Sequence, residues 1–199
     1  EASADVSLFS AYVTRGQVIN NEAVLQPSLT ISKNGFSINA WNNVNLTDSD
    51  SPYESSDSGE FTETDYTLSY TYETEIVGLT LGVSDYLLPN NTFADEFDVE
   101  GNPVEGAAYP NTREVFVTCE LMDAILEPTA SVYYDFDDAD GSIYATAGIG
   151  HTAELSDTVA VYANFSTGYG NSDYNNYYFG VDDDALNDGN VSLAADIAA

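Results

Sequence analysis

The chain has 199 residues, with 34 Asp plus Glu against 3 Lys plus Arg, a formal net charge of -31 and a single cysteine, Cys119. That length is ample for a core and suits one all-β domain over residues 1–199. The charge excludes nucleic acid and bare anionic membrane as partners and makes divalent cations the natural counterions, while the lone thiol excludes an intramolecular disulfide.

The first residues, EASADVS, carry neither a basic start nor an apolar segment, so an exported chain has already lost its signal. Along the chain, every second residue is apolar and its neighbours are Thr, Ser, Asn, Gly or a carboxylate, the period of a β-strand with two unlike faces. The first strand is expected over Asp5 to Arg15, the second over Ala23 to Lys33, with Leu25, Pro27, Leu29 and Ile31 on one side. Asn34 and Gly35 are a tight-hairpin signal. They lead into Phe36 to Leu46, where Phe36, Ile38, Ala40 and Val44 share a face and Trp41 takes the other.

After a Ser- and Asp-rich segment, a hairpin pairs Phe61 to Thr74 with Ile76 to Leu87. Its first arm sets Tyr66, Leu68, Tyr70 and Tyr72 opposite Asp65, Thr67, Ser69, Thr71 and Glu73. A long loop is expected over about 89–111, where Gly101, Pro103, Gly106 and Pro110 interrupt the alternation. Strands return at Glu114 to Leu121, Leu126 to Phe136, Ser142 to Ala153 and Thr158 to Thr167. Cys119, among Val115, Val117 and Leu121, is expected to be a small buried hydrophobe.

The tail holds a Tyr-rich run, Asn176 to Val181, then a closing strand from Asn190 to Ile197. Nine strands before the tail and one or two within it predict an all-β fold, a single antiparallel up-and-down β-barrel of about ten strands with twelve as the alternative, because closure between antiparallel ends requires an even number.

The succession YVTRGQ, VLQPSLTIS, GFSINAWNN, FTETDYTLSYTYE, VSDYLLP, PTASVYYDFDDADGSIYATAGIGH and LNDGNVSLAAD resembles a family of uncharacterised bacterial outer-membrane β-barrel proteins, porin-like and without established activity. The likeness covers most of the chain in the same order. Its positions here are Tyr12, Arg15, Gly16, Gln26, Pro27, Trp41, Asp65, Tyr66, Asp135, Gly141, Tyr144 and His151. The resemblance implies export across the inner membrane and a folding role for these residues.

Alternation leaves two arrangements open. A lipid-embedded barrel turns its apolar face outward and its polar face to the lumen, whereas a water-soluble barrel does the reverse. The polar faces carry Asp65, Glu73, Glu114, Glu120, Glu127 and Asp135, with only Arg15, Lys33, Arg113 and His151 to offset them. A narrow dry lumen is therefore costly, at several kcal/mol for each unpaired carboxylate. Arg15 is expected to pair with an acid on a neighbouring strand, with Asp65 and Glu63 as the candidates.

No catalytic constellation is expected: His151 is the only histidine, and no G-x-S-x-G nucleophile motif is present. Zinc would need Cys and His clusters. Calcium is the candidate metal, at Asp137, Asp138 and Asp140, with further acidic turns at Asp182 to Asp184 and around Asp95, Glu96 and Asp98. No other cofactor is expected. Tyr174, Tyr177, Tyr178 and Phe179 form an aromatic run suited to a membrane girdle, a protein contact or core packing.

Two functions fit these features. One is a non-catalytic structural or passive-pore barrel of the bacterial outer membrane, with lipid as its partner. The other is a secreted acidic barrel whose copies join through strand addition into an extracellular filament.

Overall fold

The predicted alternation becomes strand over most of the chain. A computed structural model describes residues 1–51, 54–89, 92–93, 107–108 and 111–197. Its elements in chain order are β1 (Ala2–Phe9), β2 (Tyr12–Thr14), β3 (Gln17–Asn20), β4 (Val24–Lys33), β5 (Phe36–Asn45), β6 (Ser49–Ser51), β7 (Glu54–Ser56), β8 (Phe61–Glu73), β9 (Val77–Leu87), β10 (Thr92–Phe93), β11 (Ala107–Ala108), β12 (Thr112–Leu121), β13 (Thr129–Asp135), β14 (Ile143–Ser156), β15 (Val159–Gly170), α1 (Ser172–Phe179) and β16 (Ala185–Ile197). Ten of these form one antiparallel sheet in the order β1-β4-β5-β8-β9-β12-β13-β14-β15-β16, so the fold is all-β and its main sheet is a meander. The pairs β2–β3, β6–β7 and β10–β11 stand apart as two-stranded sheets. The expected loop over 89–111 and the acidic turn at Asp95, Glu96 and Asp98 fall largely outside the described residues.

The chain divides into two compact units, the first Glu1–Ser69 with Val83–Glu114 and the second Tyr70–Gly82 with Val115–Ala199. In the first unit, Asn34 and Gly35 close the β4–β5 hairpin with φ of 53° and 84°, the positive pair that a two-residue turn requires. The register sets Ile31 opposite Ile38 and Ser28 opposite Trp41. Leu29, Ile31 and Ile38 are exposed, Ile38 by 58%, whereas Gln26, Asn43 and Asn45 on the other face are buried. Leu68 and Tyr66 on β8 are likewise exposed.

The second unit follows the same rule. Strands β14 and β15 pair Ile149 with Phe165, both exposed, and β15 pairs Phe165 with Val191, which is 81% exposed. On the opposite face, Ser131, Asp135 and Tyr144 are buried. Among the described residues, the buried hydrophobics are only Val24, Ala139, Tyr144 and Tyr174, while the buried polar set includes Asn20, Gln26, Asn43, Asn45, Thr62, Ser84, Glu114 and Asp135. The alternation is therefore resolved with its polar face covered and its apolar face open.

Three expectations need correction. The strand expected over Asp5 to Arg15 ends at Phe9, because Ser10 and Ala11 bend the chain and Arg15 with Gly16, at φ of 46° and 80°, turn Tyr12–Asn20 into a separate hairpin. Cys119 is exposed, not buried, because strand parity puts it in the open row with Val115 and Leu121. The Tyr-rich tail begins with a helix, α1, and the closing strand starts at Ala185 rather than Asn190.

Candidate functional site

In the first unit, hairpin β2–β3 lies against the covered face and is held there by side chains. Arg15 occupies the left-handed region at its tip, a conformation costing an L-residue about 1–2 kcal/mol, beside a glycine that adopts it freely. From there its guanidinium grips Glu114 with two parallel bonds, Nη1 to Oε1 at 2.6 Å and Nη2 to Oε2 at 2.7 Å. This fork-to-carboxylate geometry is the strongest form of ion pair. Side-chain exposure is 19% for Arg15 and 4% for Glu114, so each partner offsets much of the other's desolvation. Tyr86 on β9 donates its hydroxyl to the same Glu114 Oε2 at 2.8 Å.

Tyr12 donates its hydroxyl to Glu63 Oε2 on β8 at 2.9 Å, and its ring lies 5.7 Å from that of Trp41 on β5. Burial, and then the Glu63 charge, push the Tyr12 phenol well above its ordinary value, so it remains a donor across the physiological range. Asp65 hydrogen-bonds Glu63 and stands within electrostatic reach of Arg15 and Glu114. Its Oδ1 is buried without a hydrogen-bond partner among the described residues. Arg15, Glu63 and Asp65, singled out from the sequence, thus share one cluster, and the bidentate partner is Glu114, which sequence reasoning had placed only among the polar-face acids.

The covered face of β4, β5 and β8 carries a layer of buried amides. Gln26 Nε2 donates to Asn43 Oδ1 at 3.1 Å, while Asn43 Nδ2 donates to Thr62 Oγ1 at 2.8 Å and to Asn45 Oδ1 at 3.3 Å. Asn43 thus bonds both neighbouring strands, which ties the covered face of β4, β5 and β8 together.

In the second unit the covered face is closed by α1. Asn171 caps its start, its side chain accepting from the Tyr174 amide, and Gly180 ends it in the left-handed conformation with φ of 67°. Tyr174, 1% exposed, stacks on Tyr144 at 5.1 Å, and Tyr133 and Phe116 continue the row at 6.2 and 5.6 Å. Two glycines make the approach possible. A Cβ on Gly170 would stand 2.5 Å from the Tyr174 ring, and one on Gly168 would overlap the Tyr144 hydroxyl where it reaches over β15 to donate to Asp188 Oδ2 at 2.6 Å.

Of the predicted aromatic set, Tyr174 is core, Tyr178 packs on it at 4.6 Å, and Tyr177 and Phe179 are exposed. Two of the candidate calcium ligands accept from phenols, Asp138 from Tyr177 at 2.5 Å and Asp140 from Tyr134 at 3.3 Å, while the backbone amide of Asp137 donates to Asp135 Oδ1 at 2.9 Å. Among the described residues, no three His, Cys, Asp or Glu come together in an arrangement able to hold a metal ion. His151 is exposed, its Nδ1 2.8 Å from the Ile125 carbonyl.

Sequence reasoning missed α1 and the glycine-accommodated Tyr144–Asp188 bond. The caps Asn171 and Gly180 were readable signals for the helix, whereas contacts across strands leave no local trace. No family model, curated protein or solved structure matches this chain. What the arrangement offers chemically is fixed charge and hydrogen-bonding groups along a covered polar face.

Proposed function

We propose that this protein is a non-catalytic structural or passive-pore β-barrel of the bacterial outer membrane. One observation carries the reading: the apolar rows are exposed and the polar rows are covered, the reverse of a water-soluble barrel. Leu81, Leu193 and Ile197 join the residues already named in the open row. A water-soluble monomer rarely tolerates contiguous apolar surface of more than a few hundred Å², whereas hydrocarbon accommodates it.

Strand number and residue order also favour closure. Ten is even, and both edge strands carry apolar residues at alternate positions, Ala4, Val6 and Leu8 on β1 and Val191, Leu193, Ala195 and Ile197 on β16. No helix among the described residues is long and apolar enough to cross a membrane, so strands would do the crossing. The family resemblance points the same way and implies export.

The test is folding in detergent micelles and in phosphatidylcholine vesicles. The expected result is β-sheet circular dichroism, slower-unfolding material that migrates differently in gels before and after boiling, and protease protection in vesicles. A monodisperse soluble particle without detergent overturns the reading. Filaments without detergent would establish the second reading, a self-assembling secreted subunit, which the single sheet neighbour of β1 and of β16 among the described residues favours.

A further inference from the structure

Hairpin β2–β3 belongs to no part of the ten-stranded sheet; its strands pair with each other, Val13 opposite Val18 and Tyr12 opposite Asn20. Val13 and Val18 are exposed on its outer side, while Tyr12 and Arg15 reach down to the covered face of the first unit. The chain bends just before it at Ser10 and Ala11 and just after it at Asn21 and Glu22, so the hairpin is a single piece between two short hinges. One of the groups that hold it is chemically unusual. Glu63, which accepts from Tyr12, is also hydrogen-bonded to Asp65, and two ionised carboxylates have no donor to offer each other, so this bond contains a proton.

We propose that hairpin β2–β3 is a proton-latched strap: it lies on the covered face of the first unit while Glu63 and Asp65 share a proton, and it lifts as one piece when that proton is lost. The device is independent of whether lipid or water bathes the open face.

The groups facing the carboxyl pair are Tyr12 on β2, Arg15 at the hairpin tip, Tyr86 on β9 and Glu114 on β12. With the proton in place, the pair carries one negative charge, Glu114 a second and Arg15 one positive, which leaves a single net negative charge under the strap. An ionised Asp65 is poorly provided for. Its Oδ1 is buried without a hydrogen-bond partner among the described residues, and the guanidinium within its reach gives both prongs to Glu114. Loss of the proton therefore sets two carboxylates against each other and draws Arg15 away from Glu114, which loosens the tip, while the repelled Glu63 is the acceptor that holds Tyr12. Lifting the strap relieves both by returning the charges to water. The docked strap thus binds one proton more than the lifted one wherever free carboxyls are ionised, above about pH 4. Docking weakens as pH rises, by up to about tenfold for each pH unit, until the docked pair has itself lost the proton.

The test is amide hydrogen exchange of the full chain in the medium in which it folds, micelles or plain buffer, from about pH 6 to about pH 9 and corrected for intrinsic exchange. The amides of residues 12–20 are expected to lose protection as pH rises, by up to about tenfold per unit, while those of the β4–β5 hairpin hold. Asp65→Asn, whose amide donates to Glu63 and has no proton to lose, is expected to keep the low-pH protection throughout. Should that variant not fold, Glu63→Gln, which donates to Asp65 in the same way, is expected to do so. Hairpin protection that is indifferent to pH, that falls in the variant as it does in the wild type, or that falls together with that of β4–β5 overturns the inference. None of these outcomes touches the barrel reading, which lipid and detergent decide.

Discussion

The two units close their covered faces by opposite means. In the first, a hairpin is held by a two-pronged ion pair and a phenol-to-carboxylate bond over a sheet face tied together by amides. In the second, a helix is held by a fully buried tyrosine seated in the gap left by a glycine. The difference teaches which kind of closure can be replaced. Charge pairing is conditional on both partners, so removing one leaves the other stranded, whereas removing both returns the site to an ordinary packing problem. Aromatic seating has no such compensating change, because what is lost is contact area and shape.

That contrast can be broken in four ways. The largest effect is expected in the second unit, where Tyr174→Ala removes a side chain that is 1% exposed and costs about 3–5 kcal/mol in denaturant unfolding. Gly170→Val, which drives side-chain carbon into the Tyr174 ring, is expected to match it, and near-ultraviolet dichroism should report the displaced tyrosines. A loss under about 1 kcal/mol for both would mean that α1 does not close this face.

Next is Arg15→Leu, expected to destabilise by about 3–5 kcal/mol because Glu114 remains buried without its partner. The double variant Arg15→Leu with Glu114→Leu sharpens the comparison: it should recover most of that loss. If the single change leaves the unfolding midpoint where it was, the pair does not hold the hairpin. Asn43→Ala should cost about 1–3 kcal/mol, since Gln26 and Thr62 lose a buried partner at once. Arg113→Ala should cost under about 1 kcal/mol, because its bridge to Asp85 is exposed and screened by salt. A larger loss at Arg113 would place that bridge in a less watery setting than its exposure implies.

How much could be read from the sequence depended on the distance over which the physics acts. Asn34-Gly35 was legible because a turn with two positive φ values is a local demand, and the ten strands were legible because alternation is repeated in each. The direction of the faces was not, since a period of two is satisfied equally well with Leu29 and Ile31 covered or open. Arg15 could be flagged as a lone base among acids, yet its partner lies 99 residues away, and Asp65, Glu63 and Glu114 were equally acidic choices on the page. The helix escaped notice because eight residues carry little periodicity, and the aromatic run over Tyr174 to Phe179 reads as strand by composition. Reading Asp5 to Arg15 as one strand failed for a related reason: the Arg15-Gly16 turn was seen as part of a motif and not as a reversal of the chain.

Cys119 has a practical consequence. As the only thiol, exposed on β12 in the row with Val115 and Leu121, it can carry one nitroxide spin label on the native sequence without any engineered position. Quenching of that label by molecular oxygen, which partitions into hydrocarbon, against quenching by a water-soluble nickel chelate, would then report directly which solvent bathes the open side of the sheet.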